Sequence, residues 1–154
     1  MDTSAAECAR AVLQTVPVMM RGLGSHLRSQ AGINLSIPQL RALMFLRRHE
    51  GASMSDAAEH LEIALPSVSR LVDGLVVRGL VRRQPHATDR RRVTLALTAT
   101  GREALHAAQQ AAEDYLAALL IRLTPSERST VAHAMGALQG VFAPEREPVP
   151  VGAR

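Results

Sequence analysis

Apolar side chains recur in steps of three and four through most of this chain. Residues 4–30 carry Ala9, Val12, Leu13, Val16, Met20, Leu23 and Leu27 at that spacing, which predicts a helix. Pro17 interrupts the pattern and predicts a kink, and Gly22, Gly24 and Gly32 weaken its second half. Ser36-Ile37-Pro38-Gln39 reads as a second helix start, with serine as cap, proline in the first turn and Gln39 closing a capping box. Leu40, Leu43, Met44 and Leu46 then fall on one side, and Glu50-Gly51 ends the element. Ser53 and Ser55 are both suited to cap a short third helix through Leu61. A brief connection, Glu62 to Leu65, leads into a fourth helix from Pro66 to Arg78. Its stripe is Val68, Leu71, Val72, Leu75 and Val76, and Gly79 is its stop.

The period then changes from helical to alternating. Leu80 and Val81, then Val93, Leu95 and Leu97, predict two strands, joined by the polar and basic segment 84–92. A long helix is expected from Thr98 to about Leu123. Thr124-Pro125-Ser126-Glu127 is the clearest capping box in the chain and opens a last helix that carries Val131, Met135, Leu138 and Phe142 in steps of four, three and four. The proline-rich segment 143–154 reads as a flexible tail.

Composition changes the picture in three ways. Of 154 residues only Phe45, Tyr115 and Phe142 are aromatic, so the core is aliphatic and no stacking platform for single-stranded RNA is available. Cys8 is the sole cysteine, which excludes a disulfide framework and a multi-cysteine zinc site. The amino terminus lacks the basic and apolar regions of a signal peptide, and no apolar stretch approaches the about 18 residues that span a bilayer. The expected location is cytoplasmic, with no membrane partner.

Charge then locates a function. All 18 basic residues are arginine, and the formal net charge is +4. Between Ala64 and Arg92 seven arginines face two aspartates, a net +5, and the rest of the chain is close to neutral. A basic excess confined to one segment is the footprint of nucleic-acid binding. That segment holds the fourth helix and the hairpin. Two short helices joined by a tight turn and followed by a hairpin form a winged helix-turn-helix. Ala58 is small where the helices cross, with Leu61, Ile63, Val68 and Leu71 filling between. Glu62 stands where such a turn favours glycine, at a cost of about 1 kcal/mol for a left-handed conformation.

On a helical wheel Arg70 projects opposite the buried stripe, with Pro66, Ser67, Asp73 and Val77 also exposed and Ser69 at the margin. Arg70 suits bidentate recognition of a guanine O6/N7 edge, and Ser67 and Ser69 suit bases or phosphates. Arg82, Arg83 and Arg92 are phosphate contacts or solvated charge, and both readings stay open.

The segments LSIPQLRALMFL, SDAAEHLEIALPSVSRLVDGLVVRGLV and DRRRVTLALTATGREAL resemble the MarR family of bacterial transcriptional regulators, over about residues 5–142. PSVSRLVDGL, RGLV and DRR followed by LTATG carry the most specific likeness. The resemblance implies a mainly α fold with a β-hairpin wing. It assigns 33–98 to the DNA-binding domain and 1–32 with 99–142 to a helical dimerisation region. It also implies a homodimer on a pseudo-palindromic operator in double-stranded DNA. Pro66 to Gly79 would be the recognition helix, and Arg90 and Arg91 would lie at the wing tip. Arg91 would enter the minor groove, held by Asp89. Release by a small aromatic acid or phenol, in a cavity between the dimerisation arm and the winged helix, belongs to the same implication, as does repression.

The resemblance also offers a redox-responsive regulator acting through Cys8, since one branch of the family senses peroxides through an N-terminal cysteine surrounded by tyrosines, but here Tyr115 is the only tyrosine. The six histidines form no H-x3-H pair, so no metal is expected, and no other cofactor has a motif. No nucleophile elbow, phosphate loop or HExxH points to an enzyme. A protein-interaction module without DNA binding would have a neutral recognition face, contrary to the local +5.

Overall fold

The computed structural model describes residues 3–85 and 93–142. Along the chain it forms α1 (Ala5–Ser29), α2 (Ile37–Arg48), α3 (Met54–Leu61), α4 (Leu65–Val77), β1 (Val81–Pro85), β2 (Val93–Leu97), α5 (Ala99–Leu120) and α6 (Pro125–Phe142). Two compact units divide it, Met1–Leu116 and Ala117–Arg154. The fold class is the expected one, mostly helical with a two-stranded antiparallel hairpin.

Helix starts follow local chemistry. Ser36 caps α2 and exchanges bonds with Gln39: the Ser36 N–H donates to the Gln39 Oε1 at 3.0 Å, and the Gln39 N–H to the Ser36 Oγ at 3.3 Å. Ser53, not Ser55, caps α3, in a box closed by Asp56. Thr124 and Glu127 form the expected box at α6. The same device at Ser4 and Glu7 starts α1. In both boxes the serine or threonine N–H donates to the glutamate, holding Glu7 and Glu127 below the usual carboxylate range.

Helix α1 continues through Pro17. Its glycines are packing devices rather than weak points. A Cβ at Gly22 would lie 2.7 Å from the Tyr115 hydroxyl oxygen, and Gly24 is buried with Ile37 at 3.3 Å from such a Cβ. The Tyr115 ring stacks on His26 of α1 with centroids 4.4 Å apart.

One core joins Leu27, Leu35, Leu43, Leu46, Leu61, Val68, Val72, Leu75, Leu95 and Leu105. Phe45 belongs to it and was not anticipated there; Met44 sits at its edge. The expected alternation along β2 gives way to four successive buried residues, Thr94 to Leu97, with Val93 exposed. Helices α2 and α3 pack on this strand, and a third extended segment lies along its other edge. Ser53 bridges Thr94, and the Leu95 N–H donates to the Ala52 carbonyl at 2.8 Å, so β2 is paired along both edges.

Two turns aim α4. Glu62 adopts the left-handed conformation anticipated for it, φ 56° and ψ 39°. At the other end the Gly79 N–H donates to Val76 and the Leu80 N–H to Leu75, both at 2.9 Å, with Gly79 at φ 69°. This is a Schellman stop, and the paired Leu75 and Leu80 side chains are buried. Since a side chain at Glu62 carries steric strain that glycine lacks, Glu62→Gly is expected to stabilise the chain by about 0.5–1 kcal/mol. The readout is a raised urea midpoint at unchanged slope; an unchanged or lowered midpoint contradicts the strain.

Candidate nucleic-acid interface

Helix α4 presents its outer face free of the core. Val68, Val72 and Leu75 are fully buried, while Leu71 and Val76 are half-buried. Pro66, Ser67, Arg70, Asp73 and Val77 are exposed and Ser69 is half-buried, in the arrangement the wheel predicted. The helix begins at Leu65, with Ala64 as a cap that has no side-chain bond to give and no acid in the first turn. The positive end of its dipole is therefore left for an external anion. Among the described residues Arg70 makes only a marginal hydrogen bond, from its Nε to the Pro66 carbonyl at 3.5 Å, which leaves the guanidinium edge available.

The hairpin register decides the role of each wing arginine. Val81 pairs with Leu97, Arg82 with Ala96 and Arg83 with Leu95. Val81 and Arg83 thus share a face, and β1 packs on α4. Arg83 donates from its Nη2 to the Asp73 Oδ1 at 2.5 Å, tying the wing to α4. Both partners are substantially exposed, so the pair orients more than it stabilises. Arg82, on the opposite face, is exposed and has no hydrogen bond or ion pair among the described residues.

Arg78 is turned to a different use. Its Nη1 donates to the Asn34 carbonyl at 2.8 Å and its Nη2 to the Ile33 carbonyl at 2.6 Å. It anchors the end of α4 to the α1–α2 connection. The seven arginines of this segment therefore overstate the guanidinium groups free to reach a ligand, because Arg78 and Arg83 are already engaged, although the net charge is unchanged. The sequence showed no sign of either partner. Ile63, expected to fill the helix crossing, is instead 37% exposed. Asp89, Arg90, Arg91, Arg92 and His86 lie outside the described residues, as does the expected tail 143–154.

A cavity of about 560 Å³ opens between the end of α2 and α3, lined by Phe45, His49, Glu59 and His60 among others. The Phe45 ring lies 4.5 Å from His60 and 4.7 Å from His49. Partial burial lowers the His60 pKa, aided by His49, Arg41 and Arg48 and opposed by Glu62. This cavity lies within the winged helix. Cys8 is exposed on α1. No described helix is long and apolar enough to cross a membrane.

Known proteins share this arrangement. A model of the MarR family matches residues 32–92. An HTH-type transcriptional regulator of Mycobacterium tuberculosis is 32% identical over 100 residues, 65% of this chain and 70% of the relative. The HTH-type transcriptional regulator YfiV of Bacillus subtilis is 29% identical over 69% of this chain, which spans 66% of that relative's length. Among solved structures, that of RV1404 from Mycobacterium tuberculosis superposes with a TM-score of 0.75 at 26% identity, covering 94% of this chain and 98% of that one.

Proposed function

Because the chain belongs to the MarR family of winged helix-turn-helix transcriptional regulators, we propose that it acts as a homodimeric repressor. In this reading its two α4 helices enter successive major grooves of a pseudo-palindromic operator. The observation that carries the DNA contact is the outer face of α4. Arg70 stands there with no strong partner among the described residues, beside Ser67 and an acid-free helix start. Arg70 reads a base edge, Ser67 and Ser69 bind bases or phosphates, and Pro66 shapes the leading turn. Arg82 adds a phosphate contact from the wing. Arg83 reaches DNA only by sharing itself with Asp73. Asp89, Arg90 and Arg91 keep the wing-tip roles the resemblance gives them.

The second copy is called for by unburied hydrocarbon. Helix α6 buries none of its residues, and Val141 and Phe142 are 77% and 75% exposed. On α1, Leu13 is 74% and Val18 64% exposed. Terminal helices with this much apolar surface gain stability from a self-complementary partner. Release from the operator by a small aromatic acid or phenol completes the proposal.

Footprinting is the direct test. A two-fold dimer placing one recognition helix per half-site should protect two inverted half-sites centred about 10 base pairs apart. The protein should sediment as a dimer in the same buffer. Protection of one unrepeated half-site, or a stable monomer on DNA, overturns the dimeric mode.

A further inference from the structure

Residues 63–66, Ile63-Ala64-Leu65-Pro66, are four consecutive apolar residues, and all four are exposed. Leu65 is 49% exposed at the first position of α4, three residues before the fully buried Val68. Nothing in the turn demands hydrocarbon there. The left-handed residue is Glu62, the cap is Ala64 through its backbone alone, and any good helix former serves at position 65. A run of exposed apolar residues on a compact fold persists where a partner covers it.

Its place in the fold identifies the partner. The run leads directly into Ser67 and Arg70, on the end of the helix that enters a major groove. Side chains on a helix lean toward its N-terminus, so a leucine at the first position overhangs that leading end. The major groove offers one apolar feature, the C5-methyl group of thymine. We infer that Leu65 packs against a thymine methyl in each half-site, with Ile63 and Pro66 extending the contact. Leu65 is thus a specificity determinant for thymine, beside the base edge read by Arg70. The inference rests on the DNA-binding reading above. A protein partner fits less well, since the lip is four residues long and is flanked by Arg70 and the positive end of α4.

The test isolates one methyl group. In vitro selection from random duplexes with the full-length protein yields an operator, and each thymine is then replaced in turn by deoxyuridine. One thymine per half-site should prove sensitive, with affinity falling about fourfold when one methyl is removed and about fifteenfold when both are. Leu65→Ala should bind the thymine operator more weakly by a similar factor and bind the thymine and uracil duplexes equally. Leu65→Met should still distinguish them. The inference is overturned if no thymine in the selected site is sensitive, a result read on the unaltered protein. It is equally overturned if Leu65→Ala keeps the discrimination. If the protein selects no sequence at all, the DNA-binding reading itself falls, which is a different result from selection without methyl sensitivity.

Discussion

Arg70→Ala should weaken binding to the cognate operator by about 1–3 kcal/mol for each recognition helix and leave binding to random DNA nearly unchanged. Both helices of a dimer lose the contact together, so the whole complex should weaken by at least about thirtyfold. The basis is geometric. Arg70 lies opposite Val68 and Val72 on α4, and its one hydrogen bond among the described residues, to the Pro66 carbonyl, is at the limit of such a bond. Little is given up inside the protein when the guanidinium turns to a guanine. Fluorescence anisotropy with cognate and random duplexes, at several salt concentrations, separates base reading from charge. Equal losses on the two duplexes would make Arg70 a backbone contact. Arg91 should behave in the opposite way if it follows the groove's shape and charge. Arg91→Ala is expected to weaken both duplexes alike and to flatten the dependence of log K on log salt by about one per contact, about two per dimer. Loss of cognate preference at an unchanged slope would mean that the wing reads sequence.

The largest expected effect on stability is at Gly101, in the first turn of α5. A Cβ built there would lie 1.9 Å from the Leu80 carbonyl oxygen and 2.9 Å from its carbon. This neighbour is backbone, and it is held. Its oxygen accepts from the Thr98 N–H at 3.1 Å and the Thr98 hydroxyl at 3.2 Å, and its N–H donates to Leu75 at the Schellman stop. The Thr98 hydroxyl in turn accepts from the Gly101 N–H at 2.9 Å, capping the helix. Alanine at 101 must therefore push α5 off the junction between α4 and β1. The expected cost is about 3 kcal/mol, at the upper end for overpacking, and a fall in Tm of about 6–12 °C. Gly74→Ala is the control. A Cβ there meets only the Gln39 amide nitrogen, at 3.7 Å, and the substitution should be neutral or stabilising through helix propensity. Equal melting of the Gly101→Ala variant and the unaltered chain would show that the junction can yield.

These two residues mark how far the sequence could be read. Arg70 was legible because it depends only on helical period: once Val68, Val72 and Leu75 face inward, its direction follows. The helix starts were legible for a similar reason. Ser36 with Gln39 and Thr124 with Glu127 are partners three residues apart, so backbone geometry alone brings them together, whereas the choice of Ser53 over Ser55 was left open by the sequence. Glu62 and Gly79 belong with them, since each bonds within a single turn. The tertiary structure decided what depends on how elements dock. Arg78 was counted as part of the basic face until the α1–α2 connection, 44 and 45 residues away, supplied its carbonyl partners. Arg83 meets Asp73 because the hairpin register puts it on the face turned to α4. The burial of Thr94 and Ala96 depends on the elements that pack around β2, α2 and α3 among them, which alternation along a strand does not record. Periodicity specifies which way a side chain points, whereas its partner is set by the register and approach of a second element. That is why the outer face of α4 was readable from the chain, and which arginines beside it stay free was not.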